Sequence, residues 1–277
     1  MVLSHGGFLD FDDYSWTLKG SSLDPSLCPD IALQYTPEQI DDAQVKRIVN
    51  QLVRTNPRYV EVVKNKIFRK SDSKWDIPGF NEIKSTNSDE ELAFLEYSMS
   101  KIGKYLEFGS GYSTTLALKQ NGIEIISVES DPAYLERLQK FTSSLPKVSN
   151  SLEFLHADIG PTKEWGYPVD SIGKSVFLNY TNEIWKQLKI KKFKPDLIFI
   201  DGRFRVASFL MSLMEAPGAQ IIFDDYMDRP EYQLVQDLLP LSFSVGRLGV
   251  FRVPLELSPD MRRKIETLLE RYSMVPN

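Results

Sequence analysis

The order of apolar runs predicts an α/β protein: a doubly wound, mostly parallel seven-stranded sheet with a C-terminal antiparallel hairpin, preceded by a partial α/β segment. Three observations carry this prediction. Beyond Lys104, short apolar runs alternate with stretches of helical period, the pattern of a parallel sheet covered on both faces. The first of those runs enters a glycine turn, Tyr105–Thr114 (YLEFGSGYST), with an amphipathic segment directly behind it. Strand, glycine turn and helix in that order aim backbone N–H groups and a helix N-terminus at a ligand. The last two apolar runs, Leu241–Val245 and Gly249–Val253, are separated only by Gly246–Leu248 and read as a hairpin, which adds an antiparallel strand.

The chain begins with a fragment of the same design. Gly7–Tyr14 (GFLDFDDY) is an apolar strand ending in two aspartates, and FDDY recurs at Phe223–Tyr226 after another apolar run, AQIIFDDY. Each copy is followed by a helical segment, Ala43–Arg54 or Glu231–Leu239, and then by two β-type runs. In the first copy those runs are Tyr59–Val63 and Ile67–Phe68, after a polar insertion at Thr17–Asp41. Residues 1–70 are therefore read as a partial strand–helix–hairpin segment, 71–87 as a polar linker with Pro78 and Gly79, and 88–277 as the main domain.

Ser88 opens a helix with a capping box, because Glu91 stands three residues later, and Leu92, Leu95, Met99 and Ile102 form its apolar face. Strands are expected at Tyr105–Phe108, Glu124–Val128, Leu152–Leu155, Leu197–Ile200 and Gln220–Phe223. Helices are expected at Thr114–Gln120, Pro132–Leu145 and Val206–Met214. Ser258 caps a last helix with Pro259 at its first position and Met261, Ile265, Leu268 and Leu269 on one face.

Composition bounds the function. Hydrophobic residues at 42% and charged residues at 26% fit a globular chain, and a net charge of −5 argues against a general binder of nucleic acid or anionic membranes. The single cysteine, Cys28, excludes an internal disulfide and a cysteine-based zinc site; His5 and His156 are too few for a multi-histidine centre. No apolar run approaches the roughly 20 residues that span a bilayer. The N-terminus, MVLSHGGFLDFDDY, lacks the basic-then-apolar pattern of a signal peptide, so a cytoplasmic location is expected.

The candidate chemistry gathers at strand ends, where an open α/β sheet binds its ligand. Gly109-Ser110-Gly111 supplies a close backbone approach, and Glu129 closes the second strand where a carboxylate can accept both ribose hydroxyls. Asp158, past the third strand, is positioned to accept from an adenine amino group or simply to start a loop. Asp201 ends the fourth strand, and Asp224 and Asp225 end the fifth. Three converging carboxylates need a cation, a proton or water, and an all-oxygen set suits Mg²⁺ or Ca²⁺; alternatively Asp225 caps the next element. Arg203 and Arg205 either hold a substrate anion, partner the aspartates or are exposed at a helix start. Trp165 stands in a Gly/Pro-rich loop that can wall the crevice, while Tyr180 and Trp185 contact substrate or pack a satellite core. The basic run Lys189–Lys194 is read as a solvated approach to a strand.

From Ser88 to Pro254 the chain resembles a class I S-adenosylmethionine-dependent methyltransferase: LEFGSGYST matches that superfamily's first motif, ISVESD its acidic second strand and PDLIFIDGRFR its fourth-strand motif. The runs GPTKEWGYPVD, DGRFRVA and FDDYMDRPEY are similar to a small group of uncharacterised bacterial methyltransferase-like proteins. The resemblance implies S-adenosylmethionine as cofactor, with Glu107 among its binding residues, Gly109, Ser110, Gly111 and Ser113 at its methionine part, Glu129 at its ribose and Asp158 at its adenine. It also implies methyl transfer to an oxygen of a small molecule or glycan, with Asp201 and Arg203 as the catalytic pair. Asp201, Asp224 and Asp225 resemble the ligands of Mg²⁺-dependent O-methyltransferases, although Arg203 and Arg205 stand where those enzymes commonly carry a histidine. Residues 1–70 resemble the tail of a second such methyltransferase, which implies a relic of tandem fusion or a piece completed by a partner chain or a second copy. A nicotinamide-dependent enzyme and a non-catalytic binding module are the alternatives.

Overall fold

The computed structural model of the chain describes residues 85–145, 150–169 and 174–276, and within the first 84 residues 8–10, 43, 45–46, 49–54, 59–63 and 67–70. The chain divides into two compact units, Met1–Asp76 and Ile77–Asn277.

In the first unit β1 (Phe8–Asp10), β2 (Tyr59–Val63) and β3 (Ile67–Lys70) form an antiparallel sheet in the order β1-β3-β2. Val49 and Val53, from a π-helical turn at Val49–Val53, pack with Phe68 in a small core. Arg54 pairs with Glu61 beside it. The first FDDY motif lies outside the described residues, as do Cys28 and His5.

The second unit is built on seven strands: β4 (Lys104–Phe108), β5 (Glu124–Glu129), β6 (Ser151–His156), β7 (Leu197–Ile200), β8 (Gln220–Phe223), β9 (Phe243–Val245) and β10 (Leu248–Arg252). Their order is β6-β5-β4-β7-β8-β10-β9. The pairs β4–β5, β5–β6, β4–β7 and β7–β8 are parallel, and β10 runs antiparallel between β8 and β9. This is the doubly wound sheet with a terminal hairpin that the sequence predicts. Its strand order reverses at β4 and β7, so their carboxyl ends flank the ligand crevice of such a sheet.

The FDDY repeat is carried into the pairing. When Phe11–Tyr14 is aligned on Phe223–Tyr226, the pair Leu9↔Phe68 falls on Ile221↔Phe251, and Phe8↔Arg69 falls on Gln220↔Arg252. Both sheets therefore set a Phe-Arg dipeptide against the strand that precedes FDDY, in one register and in the same three-strand order. In the second copy the motif's aromatics are core residues: Phe223 and Tyr226 pack on each other and Tyr226 on Phe251, while Asp224 and Asp225 end the strand.

Helices α1 (Asp89–Met99), α2 (Tyr112–Lys119), α3 (Pro132–Ser144), α4 (Lys174–Phe177), α5 (Asn182–Ile190), α6 (Arg205–Glu215) and α7 (Pro259–Tyr272) complete the unit. The capping box of α1 forms: Glu91 N–H donates to Ser88 Oγ at 3.3 Å, and Ser88 N–H donates to Glu91 Oε2 at 2.8 Å. Helix α2 begins at Tyr112, two residues earlier than its spacing predicts, because Gly111 N–H is met by Thr114 Oγ1 at 3.0 Å and the turn runs directly into the helix. The segment expected as a helix at Glu231–Leu239 is a 3₁₀ helix, Pro230–Asp237, whose buried residues Tyr232 and Val235 stand three apart, the spacing that aligns on a 3₁₀ turn. In the long β6–β7 connection, Phe177, Tyr180, Ile184, Trp185 and Leu188 are buried in the main core, so Trp185 is a packing residue, while Tyr180 packs there and also borders the crevice.

Candidate functional site

The site begins where β4 and β7 end side by side. Gly109 has φ 98°, a left-handed conformation suited to glycine, and its N–H donates to Val128 O at 2.9 Å. A Cβ on Gly109 would come within 2.5 Å of Gly202 N, so the two turns meet backbone to backbone. Gly111 is different: a Cβ there would meet only Tyr134 Oη at 3.8 Å, so this part of the turn is open. Tyr134 is pushed up to about 12 by burial and by the nearby Glu129 carboxylate.

Glu107, expected at the cofactor, lies under the turn. It is fully buried, and its carboxylate accepts from Tyr105 Oη at 3.0 Å, Ser113 Oγ at 2.6 Å, Ser127 Oγ at 2.6 Å and Thr114 Oγ1. Burial raises its pKa, and the hydroxyl donors oppose the rise. Glu107 thus joins β4, β5 and α2 rather than lining the crevice. Ser110 Oγ reaches the same hub through a hydrogen bond with Ser127 Oγ.

Glu129 faces the crevice at the end of β5. Its Oε1 accepts from Ser130 N–H at 2.7 Å and Asp131 N–H at 2.8 Å, and its Oε2 from Ser110 N–H at 3.3 Å. Burial raises its pKa against these three bonds. The loop after β6 closes on it through Gly166 (φ 70°), where a Cβ would come within 2.8 Å of Ser130 Oγ and 3.4 Å of Glu129 Oε1. Asp158, expected at the adenine, is exposed; it accepts from Gly160 N–H at 3.0 Å and does not line the crevice. It starts a loop, as its position two residues beyond β6 allows.

The aspartates meet arginines. Arg205, the first residue of α6, donates from Nη2 to Asp201 Oδ1 at 2.9 Å, from Nη1 to Asp225 Oδ2 and Asp224 O at 3.0 Å each, and from Nε to Gly202 O at 3.0 Å. Arg247 donates from Nε to Asp224 Oδ1 at 3.2 Å and stands 3.4 Å from Asp225 Oδ1. Arg229 is 3.3 Å from Asp225 Oδ2, and Asn87 Nδ2 donates to Asp224 Oδ1 at 3.1 Å. Loss of solvent and the Asp224 carboxylate push the pKa of Asp201 well above the ordinary carboxylate range, against the pull of Arg205.

These contacts correct the expectation of Mg²⁺ on Asp201, Asp224 and Asp225. A divalent cation requires several oxygens converging within about 2.0–2.6 Å, whereas these oxygens converge on guanidinium groups. Among the described residues no group of three or more His, Cys, Asp or Glu side chains is placed to hold a metal ion. The donor set does not fit the metal.

A cavity of about 670 Å³ joins these parts, within the usual size range of small-molecule sites. Of the expected residues it is lined by Gly109, Ser110, Gly111, Ser113, Glu129, Asp201, Arg203, Asp224 and Asp225. Trp165, 81% exposed, stands at its rim, in a left-handed conformation next to Gly166. Arg203 is buried, with its guanidinium carbon 4.1 Å from the centre of the Tyr167 ring and its backbone N–H donating to Tyr180 Oη at 3.1 Å. Its Cγ lies 3.9 Å from where a Cβ on Gly166 would stand, on the Glu129 side of the cavity. Arg203 thus stands beside Tyr167 and Glu129, while Arg205 is the arginine paired with Asp201.

Thr86, Asn87, Tyr167 and Arg247 are among the site residues that were not singled out in the sequence. Arg247 follows from the strand pairing rather than from the sequence. The register Gly249↔Phe223 puts a residue two before Gly249 beside one two after Phe223, so the hairpin turn must meet FDD. Glu91 fixes that turn by accepting from Arg247 N–H at 2.7 Å. Thr86 accepts from Arg247 Nη2 at 2.9 Å.

No family model and no curated protein matches the chain. Among solved structures, a methyltransferase-like protein from Silicibacter pomeroyi is similar, with 29% identity and a TM-score of 0.63, covering 70% of this chain and 98% of that one. An O-methyltransferase from Bacillus cereus, solved in complex with SAH, shares 15% identity over 82% of this chain and 83% of its own, with a TM-score of 0.38 that carries no weight here.

Proposed function

Since the chain has the fold of the class I S-adenosylmethionine-dependent methyltransferases, we propose that it binds S-adenosylmethionine and transfers its methyl group to an oxygen of a small molecule or glycan. The observation that carries this reading is that the open glycine turn, the Glu129 carboxylate and Asp201 line one cavity at the point where the strand order reverses. In this reading Gly109, Ser110, Gly111 and Ser113 cradle the methionine part, and Glu129 accepts from the ribose hydroxyls. The cofactor, when bound, supplies an electrophilic methyl group on a sulfonium.

The chain's own residues then have three tasks. The loop carrying Trp165, Gly166 and Tyr167, with Arg203 stacked on Tyr167, forms the wall beside Glu129 and excludes water. The turn and strand ends hold both reactants in line, which is the main source of acceleration in a displacement of this kind. Asp201, whose side chain keeps 37% of its surface open, accepts a hydrogen bond from the acceptor hydroxyl and takes its proton as the oxygen attacks.

Methyl-labelled S-adenosylmethionine, incubated with a panel of phenols and glycosides, tests the reading. Label should move to an acceptor with wild type and not with Asp201→Asn. Bound cofactor without transfer to any hydroxyl, nitrogen or thiol would favour a binding module instead.

A further inference from the structure

We propose that Arg205 is a resident cation that takes the place of a divalent metal among Asp201, Asp224 and Asp225, so that methyl transfer here proceeds without one. The consequence for turnover rests on the methyl-transfer reading; the charge arrangement does not.

Three carboxylates at the ends of two neighbouring strands repel one another unless a cation, a proton or water intervenes. Arg205 meets that need from within the fold. Phe204 has φ 52°, and this left-handed residue starts α6 directly behind the end of β7, which brings Arg205 between the strand ends. The Arg205 side chain is only 5% exposed, and each of its three nitrogens already has an acceptor: Gly202 O for Nε, Asp224 O and Asp225 Oδ2 for Nη1, Asp201 Oδ1 for Nη2. A planar guanidinium with bonds near 3 Å holds these oxygens apart, in a geometry that a small ion cannot share.

Asp224 Oδ1 and Asp225 Oδ1 are also engaged. Arg247 and Asn87 take Asp224 Oδ1, and Arg247 and Arg229 take the Asp225 carboxylate. The Asp224 and Asp225 side chains are 3% and 15% exposed, against 37% for Asp201. Only Asp201 is left substantially open to an incoming ligand. Arg205 is therefore a positioning residue: it anchors one oxygen of Asp201 and leaves the carboxylate turned to the acceptor.

Mn²⁺ serves as the probe, followed by the electron paramagnetic resonance of the free ion, with no adenosyl compound present. A failure to bind S-adenosylmethionine, measured separately, therefore leaves this test readable. Wild type should leave the free-ion signal unchanged at the site, whereas Arg205→Met, which removes the charge and keeps the bulk, should lose that signal to bound Mn²⁺. Adding Asp201→Asn to Arg205→Met should restore it. Binding by wild type that survives Asp201→Asn lies elsewhere and accords with the proposal. Wild-type binding abolished by Asp201→Asn would overturn it, as would folded Arg205→Met that gains no Mn²⁺. Circular dichroism verifies the fold; if Arg205→Met does not fold, Arg205→Gln replaces it, and the wild-type comparison decides alone if neither does.

Discussion

Gly109 and Gly202 touch through their backbones: a Cβ on Gly109 would stand 2.5 Å from Gly202 N, and one on Gly202 would stand 2.8 Å from Gly109 N. The ends of β4 and β7 are thus locked together at the cavity lining. Gly109→Ala combines this clash with a left-handed φ, and should lower stability by at least about 2 kcal/mol. The shift of the urea midpoint at constant m-value measures it.

Glu107 ties β4, β5 and α2 together through four hydroxyl donors, so replacing its carboxylate should loosen all three. Glu107→Gln should cost about 1–3 kcal/mol, because the amide sets an NH₂ group, which accepts nothing, against hydroxyls that now donate to a carboxyl oxygen. Affinity for S-adenosylhomocysteine should fall less than stability, since Glu107 does not line the cavity.

The pH dependence follows from the same residue. Burial raises the Glu107 pKa in the folded state, so the folded protein holds this proton more tightly than the unfolded chain does. Stability from this group is full below the ordinary carboxylate range and is lost as pH rises from that range through the raised folded value. The stability advantage of wild type over Glu107→Gln should therefore shrink as pH rises through that window. An advantage that grows with pH would contradict the assignment.

Glu129 and Asp158 separate the cofactor's two expected carboxylates. Glu129→Gln should weaken S-adenosylhomocysteine binding by about 10- to 100-fold, the range for losing hydrogen bonds to a charged group. Asp158→Asn should leave the affinity unchanged, because Asp158 is exposed and lies outside the cavity lining. Titration calorimetry on both variants compares them directly.

Apolar periodicity made the sheet legible. Leu197–Ile200 and Gln220–Phe223 have the bounds their runs predict, and β4, β5 and β6 differ by a residue at one or both ends. Glu129 and Asp201 could be placed because strand ends converge in an open sheet whatever the loops do. Glu107 could not, since its role is set by Ser113, Thr114 and Ser127, donors that only the packed turn brings to it. The metal expectation failed because the other reading, Arg205 as partner of the aspartates, holds; what the sequence does not mark is the left-handed Phe204 that places the guanidinium between them. Asn87 came from a stretch read as linker, where polar composition gives no sign of a partner 137 positions away.

The most direct test of the central claim is titration calorimetry of folded wild-type protein with S-adenosylmethionine, S-adenosylhomocysteine and NAD⁺. Binding of both adenosyl compounds at one site per chain, weakened by Glu129→Gln, with no heat from NAD⁺, is the predicted result. No heat from either adenosyl compound would contradict it.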